Sequence, residues 1–213
     1  TGDGAKSVTV RQTDVAGNTS AASSALAFTL DTTAAAPTLT LTTDTGASGS
    51  DKITSNGALT VSGAETGATI EYSSTGTSGW STVVPTASEG SNTVYVRQID
   101  VAGNTSAASS ALAFTLDTTA AAPTTALATN SGSSSDSITN VGTVNVTGLE
   151  TGASWQYSTD GGTTWNNGSG SSLSLTGDGA KSVTVRQTDV AGNTSAASSA
   201  LAFTLDTTAA APT

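Results

Sequence analysis

The chain repeats itself, and that limits its fold more than any other feature. Residues 1–38 and 176–213 are identical, from Thr1-Gly2-Asp3-Gly4 through Ala36-Pro37-Thr38, at an offset of 175. Residues 94–124 match 8–38 except that Tyr95 stands for Thr9 and Ile99 for Thr13. One block, VRQ-x-DVAGNTSAASSALAFTLDTTAAAPT, therefore occurs three times, with its first aspartate at Asp14, Asp100 and Asp189, spacings of 86 and 89. A period that long is a domain rather than a solenoid turn. Cutting at DTTAAAPT gives residues 1–36 as the last third of a unit, 37–122 as a complete unit and 123–211 as another. The leading fragment has too few strands to fold alone. It is expected to be the end of a unit that a neighbour completes, inside a longer polypeptide.

Within a unit, short runs alternate apolar and polar residues between Gly/Ser/Thr turns. Leu39/Leu41, Leu59/Val61, Ile70/Tyr72, Trp80 with Val83-Val84, Val94/Val96 and Leu112/Phe114/Leu116 mark the middle unit. Leu127, Val144/Val146, Trp155/Tyr157, Trp165, Leu173/Leu175, Val183/Val185 and Leu201/Phe203/Leu205 mark the last. Period-2 runs at this density predict strands, and the threonines suit a pleated, half-solvated surface. TSAASSALAF reads as a turn followed by the last strand. The expected fold class is all-β, with tandem immunoglobulin-like β-sandwiches of about seven strands each.

Composition removes several functions. The chain has no Cys, His or Met. Thiol nucleophiles, Ser-His-Asp triads, zinc sites, haem ligation and disulfides are excluded within it. A net charge of −10 opposes nucleic acid and anionic lipid. No apolar run approaches the ~20 residues of a helical membrane span, so no membrane insertion is expected. Arg11, Arg97 and Arg186 are one repeated position, not a catalytic cluster. Ser158 to Trp165 resembles the S-x-D-x-G-x-T-W Asp-box hairpin, a structural element; SSTGTSGW at 73–80 is a degenerate copy. The sequons at Asn18, Asn104 and Asn193 are read as accidental.

Small sandwiches without disulfides often need another staple, which directs attention to the carboxylates. Asp31, Asp117 and Asp206 open the linker DTTAAAPT. Asp44 and Asp51 lie in the first loop of the middle unit, and Asn130 and Asp136 in the matching loop of the last. Asp14, Asp100 and Asp189 begin the DVAGN loop, and Glu65 and Glu150 sit in the ETGA turn. Loops of such a sandwich segregate to its two ends. Asp44, Asp51 and Asp117 are expected to converge at one end, faced by Asp189, Asn193 and Glu150 of the next unit. Oxygen-only clusters suit a hard cation, with calcium the natural extracellular one. The alternative is that Asp and Asn only fix turns and that Glu65 and Glu150 are solvated; both readings stand here.

The pattern DTTA…APT, then DTG-x-S-x-x-D-x-IT, then x-D-x-AGN-x-S resembles bacterial Ig-like repeats of giant calcium-dependent surface adhesins, of the biofilm-associated and repeats-in-toxin kind. The resemblance covers both complete units and the fragment. It implies a non-enzymatic, secreted, cell-surface extender with Ca²⁺ at domain junctions. By position the ligands would be Asp44, Asp51 and Asp117, with Asp31, Asp100 and Asp189 as further candidates. Asn130 departs from the pattern in a loop one residue shorter, which weakens a site with Asp136 and Asp206. Expected partners are adjacent repeats of the same chain and other copies of it. Two alternatives are a self-assembling filament, sheath or surface layer, and a carbohydrate- or ice-binding module using Trp155 or Trp165.

Overall fold

The computed structural model describes residues 2–212. It is all-β, built as tandem immunoglobulin-like sandwiches, with no helix among the described residues. The strands are β1 Gly4–Val8, β2 Leu26–Leu30, β3 Thr38–Leu41, β4 Ile53–Thr54, β5 Leu59–Ser62, β6 Thr69–Ser73, β7 Gly90–Ile99 and β8 Leu112–Leu116. They continue with β9 Thr124–Leu127, β10 Ile138–Thr139, β11 Thr143–Thr147, β12 Ser154–Ser158, β13 Asn166–Asn167, β14 Ser172–Ser174, β15 Gly179–Thr188 and β16 Leu201–Leu205. The chain divides into two compact units. One comprises Thr1–Thr40, Leu59–Thr86 and Thr93–Leu112; the other comprises Leu41–Ala58, Ala87–Asn92 and Ala113–Thr213.

The strands from β9 onward form two sheets, ordered β10-β16-β15-β12-β13 and β14-β11-β9. Their period-2 pattern buries one face: along β15, Val183, Val185 and Gln187 point inward. Val144, Val146, Trp155, Val183, Val185, Phe203 and Leu205 make the core. Trp155 donates its indole N–H to the Gly170 carbonyl at 2.9 Å, so the buried ring loses no hydrogen bond. Its ring plane lies against Gly168, where a Cβ would stand only 2.2 Å from a ring carbon. Only glycine admits that approach. The middle strands repeat the plan, as β4-β8-β7-β6 and β3-β5.

Two features differ from the expected strand list. Val83 and Val84 form no strand and are exposed, because Pro85 follows with no N–H to give a ladder. In the other direction, two-residue strands β4 and β10 pair in parallel with the last strands β8 and β16. No alternation marks so short an element.

The TSAASS segment is an arm that completes β7 and β15 through serine hydroxyls. Ser106 and Ser109 donate their N–H to the Gln98 and Val96 carbonyls at 2.9 and 2.8 Å. Their hydroxyls in turn accept the Gln98 and Val96 N–H at 3.0 and 3.1 Å. Ser195 and Ser198 do the same for Gln187 and Val185, and Ser20 and Ser23 for Gln12 and Val10. A residue step of three rather than two is possible because the hydroxyl replaces a backbone acceptor.

β1 and β2 pair in the register of β15 and β16, Gly4 with Leu30 as Gly179 with Leu205. Their environments differ. Phe28 is 45% exposed and Phe203 5%; Val10 is 68% exposed and Val185 0%.

The Asp-box hairpin explains its own acidic residue. The Thr164 hydroxyl donates to one Asp160 oxygen at 2.6 Å; the Thr164 N–H and Ser158 hydroxyl donate to the other at 2.9 and 2.7 Å. These donors stabilise the carboxylate and bring its pKa from 3.8 down to about 2. A carboxyl with a lower folded than unfolded pKa stabilises above the unfolded value and loses that as pH falls through the folded one. The hairpin is thus expected to hold at pH 4 and open as pH approaches about 2. An NMR titration should find the Asp160 carboxyl ionising near pH 2, with the Thr164 amide shifting alongside it. A midpoint near 4 would contradict this account, and Asp160→Asn should remove the response.

Candidate functional site

Each DVAGN loop is a tight turn fixed by its first and last residues. The Asn104 N–H and side-chain amide donate to the two Asp100 oxygens at 2.8 and 2.7 Å. Asn193 holds Asp189 the same way at 2.8 Å for both bonds. Gly192 takes φ 91°, a region open to glycine. The turn role weighed from sequence is therefore present, and the same asparagines have a second partner. Asn104 donates to the Asp31 carbonyl at 3.0 Å, and Asn193 to the Asp117 carbonyl at 2.8 Å. The linker is tied to the loop at its first residue.

A buried glutamine ties it again four residues later. Gln98 donates its amide to the Ala35 carbonyl at 2.7 Å and accepts the Glu65 N–H at 2.8 Å. Glu65 closes the triangle by accepting the Ala35 N–H at 3.0 Å. Gln187, Ala121 and Glu150 repeat it at 2.7, 2.8 and 2.8 Å. Both glutamines are fully buried, so their side-chain amides find their partners away from water.

These ties draw carboxylates together. Asp31, Glu65 and Asp100 each offer an oxygen within 4.8 Å of the others, and so do Asp117, Glu150 and Asp189. Burial opposes ionisation of Asp100, but bonds from the Asn104 side chain and backbone, with those of Gly103 and Ala102, outweigh it and hold its pKa below the usual carboxylate value. The ion pair of Arg97 goes to Glu71 at 2.7 Å, with its guanidinium over Trp80. Arg186 bonds Gln156 and lies over Trp165.

Four of the nine aspartates singled out from sequence thus enter a cluster, Asp31, Asp100, Asp117 and Asp189, while Asp14 holds Asn18 in its own turn. Asp51 and Asp136 instead accept the N–H of Ile53 and Ile138, both at 3.0 Å, and support the left-handed residues Lys52 and Ser137. Asp206 accepts the Thr208 N–H at 3.2 Å. Asp44 accepts the Lys52 N–H at 2.9 Å through one oxygen. Its other oxygen is buried without a partner, as is the Asn130 side-chain oxygen at the matching position. The Asp44 loop does lie beside the 189–193 loop, with the Thr45 hydroxyl donating to the Ala191 carbonyl at 2.6 Å.

Glu65 and Glu150, for which the sequence left a solvated turn and a site role both open, are half-buried cluster members. Their signal was recurrence at one position of both units. Sequence reasoning also passed over an acid 29 residues before each linker threonine. Asp3 accepts the Thr32 hydroxyl at 2.7 Å, Asp178 the Thr207 hydroxyl at 2.6 Å, and Glu89 the Thr118 hydroxyl. Those threonine bonds lower the pKa of Asp3 and Asp178.

The donor set fits a hard divalent cation: three carboxylate oxygens, no soft ligand and no basic side chain in either group. The buried orphan oxygens of Asp44 and Asn130 fit the same chemistry.

Residues 33–118 match the family model described as bacterial Ig-like domain. No curated protein matches the chain. Among solved structures it is similar to the crystal structure of a tetra-tandem repeat in the extending region of a large adhesion protein. Identity is 21% and the TM-score 0.34, over 97% of this chain and 57% of that one. The chain therefore spans little more than half the length of that structure.

Proposed function

We propose, from the match of residues 33–118 to the bacterial Ig-like domain model, that the chain is a stretch of extender repeats from a secreted bacterial surface adhesin. The repeats are 37–122 and 123–211, with 1–36 the end of another. Their work is reach and stiffness, without catalysis. A spacer suits near-identical units, because copy number sets length and no unit needs a private site.

Calcium is the proposed stiffener, held by Asp31, Glu65 and Asp100 and by Asp117, Glu150 and Asp189. The observation that carries it is three converging carboxylates with no basic partner, twice in one chain. Bound to the native state alone, an ion stabilises by RT ln(1 + [Ca²⁺]/Kd). With Kd of about 10⁻⁴–10⁻³ M, millimolar calcium contributes roughly 0.5–1.5 kcal/mol per site.

Solution scattering and thermal melts of the chain, with calcium and with chelator, test this. Calcium should raise the melting temperature and narrow the size distribution, and Asp117→Ala should resemble the chelated protein even in calcium. Identical scattering and melting in both conditions would remove the metal and leave the linker to Pro37, Pro123 and the glutamine ties.

A further inference from the structure

We infer that Asn56-Gly57 is a self-modifying site, at which the chain converts Asn56 to isoaspartate and so loosens β4 from β8 in the middle repeat. Asn-Gly is the dipeptide most open to this chemistry, because glycine puts no Cβ in front of its own nitrogen. The sequence has two such pairs, Asn56-Gly57 and Asn167-Gly168. The fold treats them oppositely.

Asn167 is locked. It pairs with Gln156 in the β12–β13 ladder, and its side-chain oxygen accepts the Gln156 amide at 3.1 Å. The Gly168 N–H donates to the Trp155 carbonyl at 2.9 Å. A nitrogen held there does not turn toward the Asn167 side chain. Asn56 is exposed, and the Gly57 N–H has no hydrogen-bond partner among the described residues. The Ala58 N–H donates to the Asn56 side-chain oxygen at 3.0 Å. That bond folds the side-chain amide back over Gly57 and polarises its carbonyl toward attack. The same donor stays with the oxygen as negative charge builds on it.

Packing keeps the glycine in place. A Cβ at Gly57 would stand 2.6 Å from the Ala87 Cβ, and one at the matching Gly142 only 2.1 Å from the Leu175 carbonyl oxygen. The last repeat has Val141 before its glycine, so Asn56 is what makes the middle repeat reactive.

The reaction balances with water alone. The Gly57 nitrogen gives its proton to hydroxide and bonds to the Asn56 side-chain carbonyl carbon. The bond from that carbon to Nδ2 breaks, and Nδ2 leaves as ammonia with a proton from water, which restores the hydroxide. Water then opens the succinimide ring. Opening at the side-chain carbonyl gives aspartate. Opening at the main-chain carbonyl gives isoaspartate, whose backbone runs through the side-chain carbons and is one methylene longer. That extra length falls against the β4–β8 pair. The Asn56 N–H bonds the Thr54 hydroxyl at 3.1 Å, and the Ala58 carbonyl accepts the Thr42 N–H at 2.8 Å. Between them the Thr54 carbonyl accepts the Asp117 N–H at 2.9 Å. A methylene inserted after Asn56 shifts Thr54 and Ala58 apart, and the Asp117 bond gives way. Calcium takes no part in these steps, so they stand or fall separately from calcium stiffening.

The full chain is aged in mildly alkaline buffer, folded and in urea, and isoaspartate is mapped by peptide mass spectrometry with electron-transfer fragmentation. In urea the two Asn-Gly pairs should react at similar rates. In the folded chain Asn167 should slow at least tenfold and Asn56 less than about twofold, with the Asn56 rate rising with pH. Asn56→Gln should leave residue 56 unmodified. In the aged chain, amide exchange at Thr115 and Asp117 should quicken at least tenfold, with Thr204 and Asp206 unchanged. Asn56→Asp, which adds the charge without the methylene, should exchange like the fresh chain. Equal folded rates at Asn56 and Asn167, or folding that protects Asn56 tenfold, overturns the site. Isoaspartate at 56 with unchanged exchange at Asp117 overturns the loosening.

Discussion

Phe203→Ala is expected to destabilise the last repeat by about 3–5 kcal/mol, whereas Phe28→Ala, the same substitution in the same local sequence, should cost within about 0.5 kcal/mol. The two phenylalanines have identical neighbours along the chain for more than twenty residues on one side and ten on the other. Strand propensity, turn chemistry and local unfolded-state structure therefore cancel in the comparison. What remains is burial: Phe203 is 5% exposed beneath Trp155 and Val146, and Phe28 is 45% exposed. Losing a buried ring removes both transfer free energy and packing, and it leaves a cavity. Chemical denaturation followed by tryptophan fluorescence, with Trp80→Phe in both variants, reads Trp155 and Trp165 of the last repeat. Equal costs at both positions would mean that the Phe28 face is covered in solution.

Gln187→Leu should cost about 2–4 kcal/mol, through polar groups left behind rather than lost packing. The leucine keeps the volume, but the Glu150 N–H and the Ala121 and Gly148 carbonyls lose their partner. Leaving part-buried donors and acceptors unpaired costs more than the average hydrogen bond contributes. Amide exchange at Glu150 should rise because its N–H loses the Gln187 oxygen, and at Ala121 with it, because the Glu150 carboxylate that accepts the Ala121 N–H loses its tie to Gln187. Gln12→Leu makes the internal control, since Gln12 is exposed and its backbone N–H already bonds Ser20. A cost below 1 kcal/mol for Gln187→Leu would show that water or linker movement satisfies the freed groups.

The fold was legible because its longest strands follow the pleat. Val94/Val96 and Val183/Val185 alternate with polar residues and bury where that pattern places them. Val83-Val84 misled because two adjacent apolar residues before a proline are apolar without being periodic. The parallel pairs β4 and β10 were invisible for the opposite reason, being two residues long. At the candidate site, the aspartates of the linker and the DVAGN loop were found because Asp recurs there next to turn residues. Glu65 and Glu150 were undervalued because burial of a glutamate depends on a distant partner. Gln98 and Gln187, 33 and 37 residues away, supply it, and no local pattern shows that connection.

The short parallel pairs have a mechanical meaning. β4 and β10 stand near the start of their repeats, and β8 and β16 at the end. Tension passed along the polypeptide pulls the two strands of each pair in opposite directions along their own axes. The Thr115 and Asp117 bonds to the Lys52 and Thr54 carbonyls, at 2.8 and 2.9 Å, are then loaded in shear and carry the force together. The Thr204 and Asp206 bonds to Ser137 and Thr139, both at 2.9 Å, share it in the same way. An antiparallel hairpin pulled open from its free ends yields one rung at a time, whereas these clamps fail only when both rungs give at once. In the proposed extender, two of the shortest strands, β4 and β10, would carry that load.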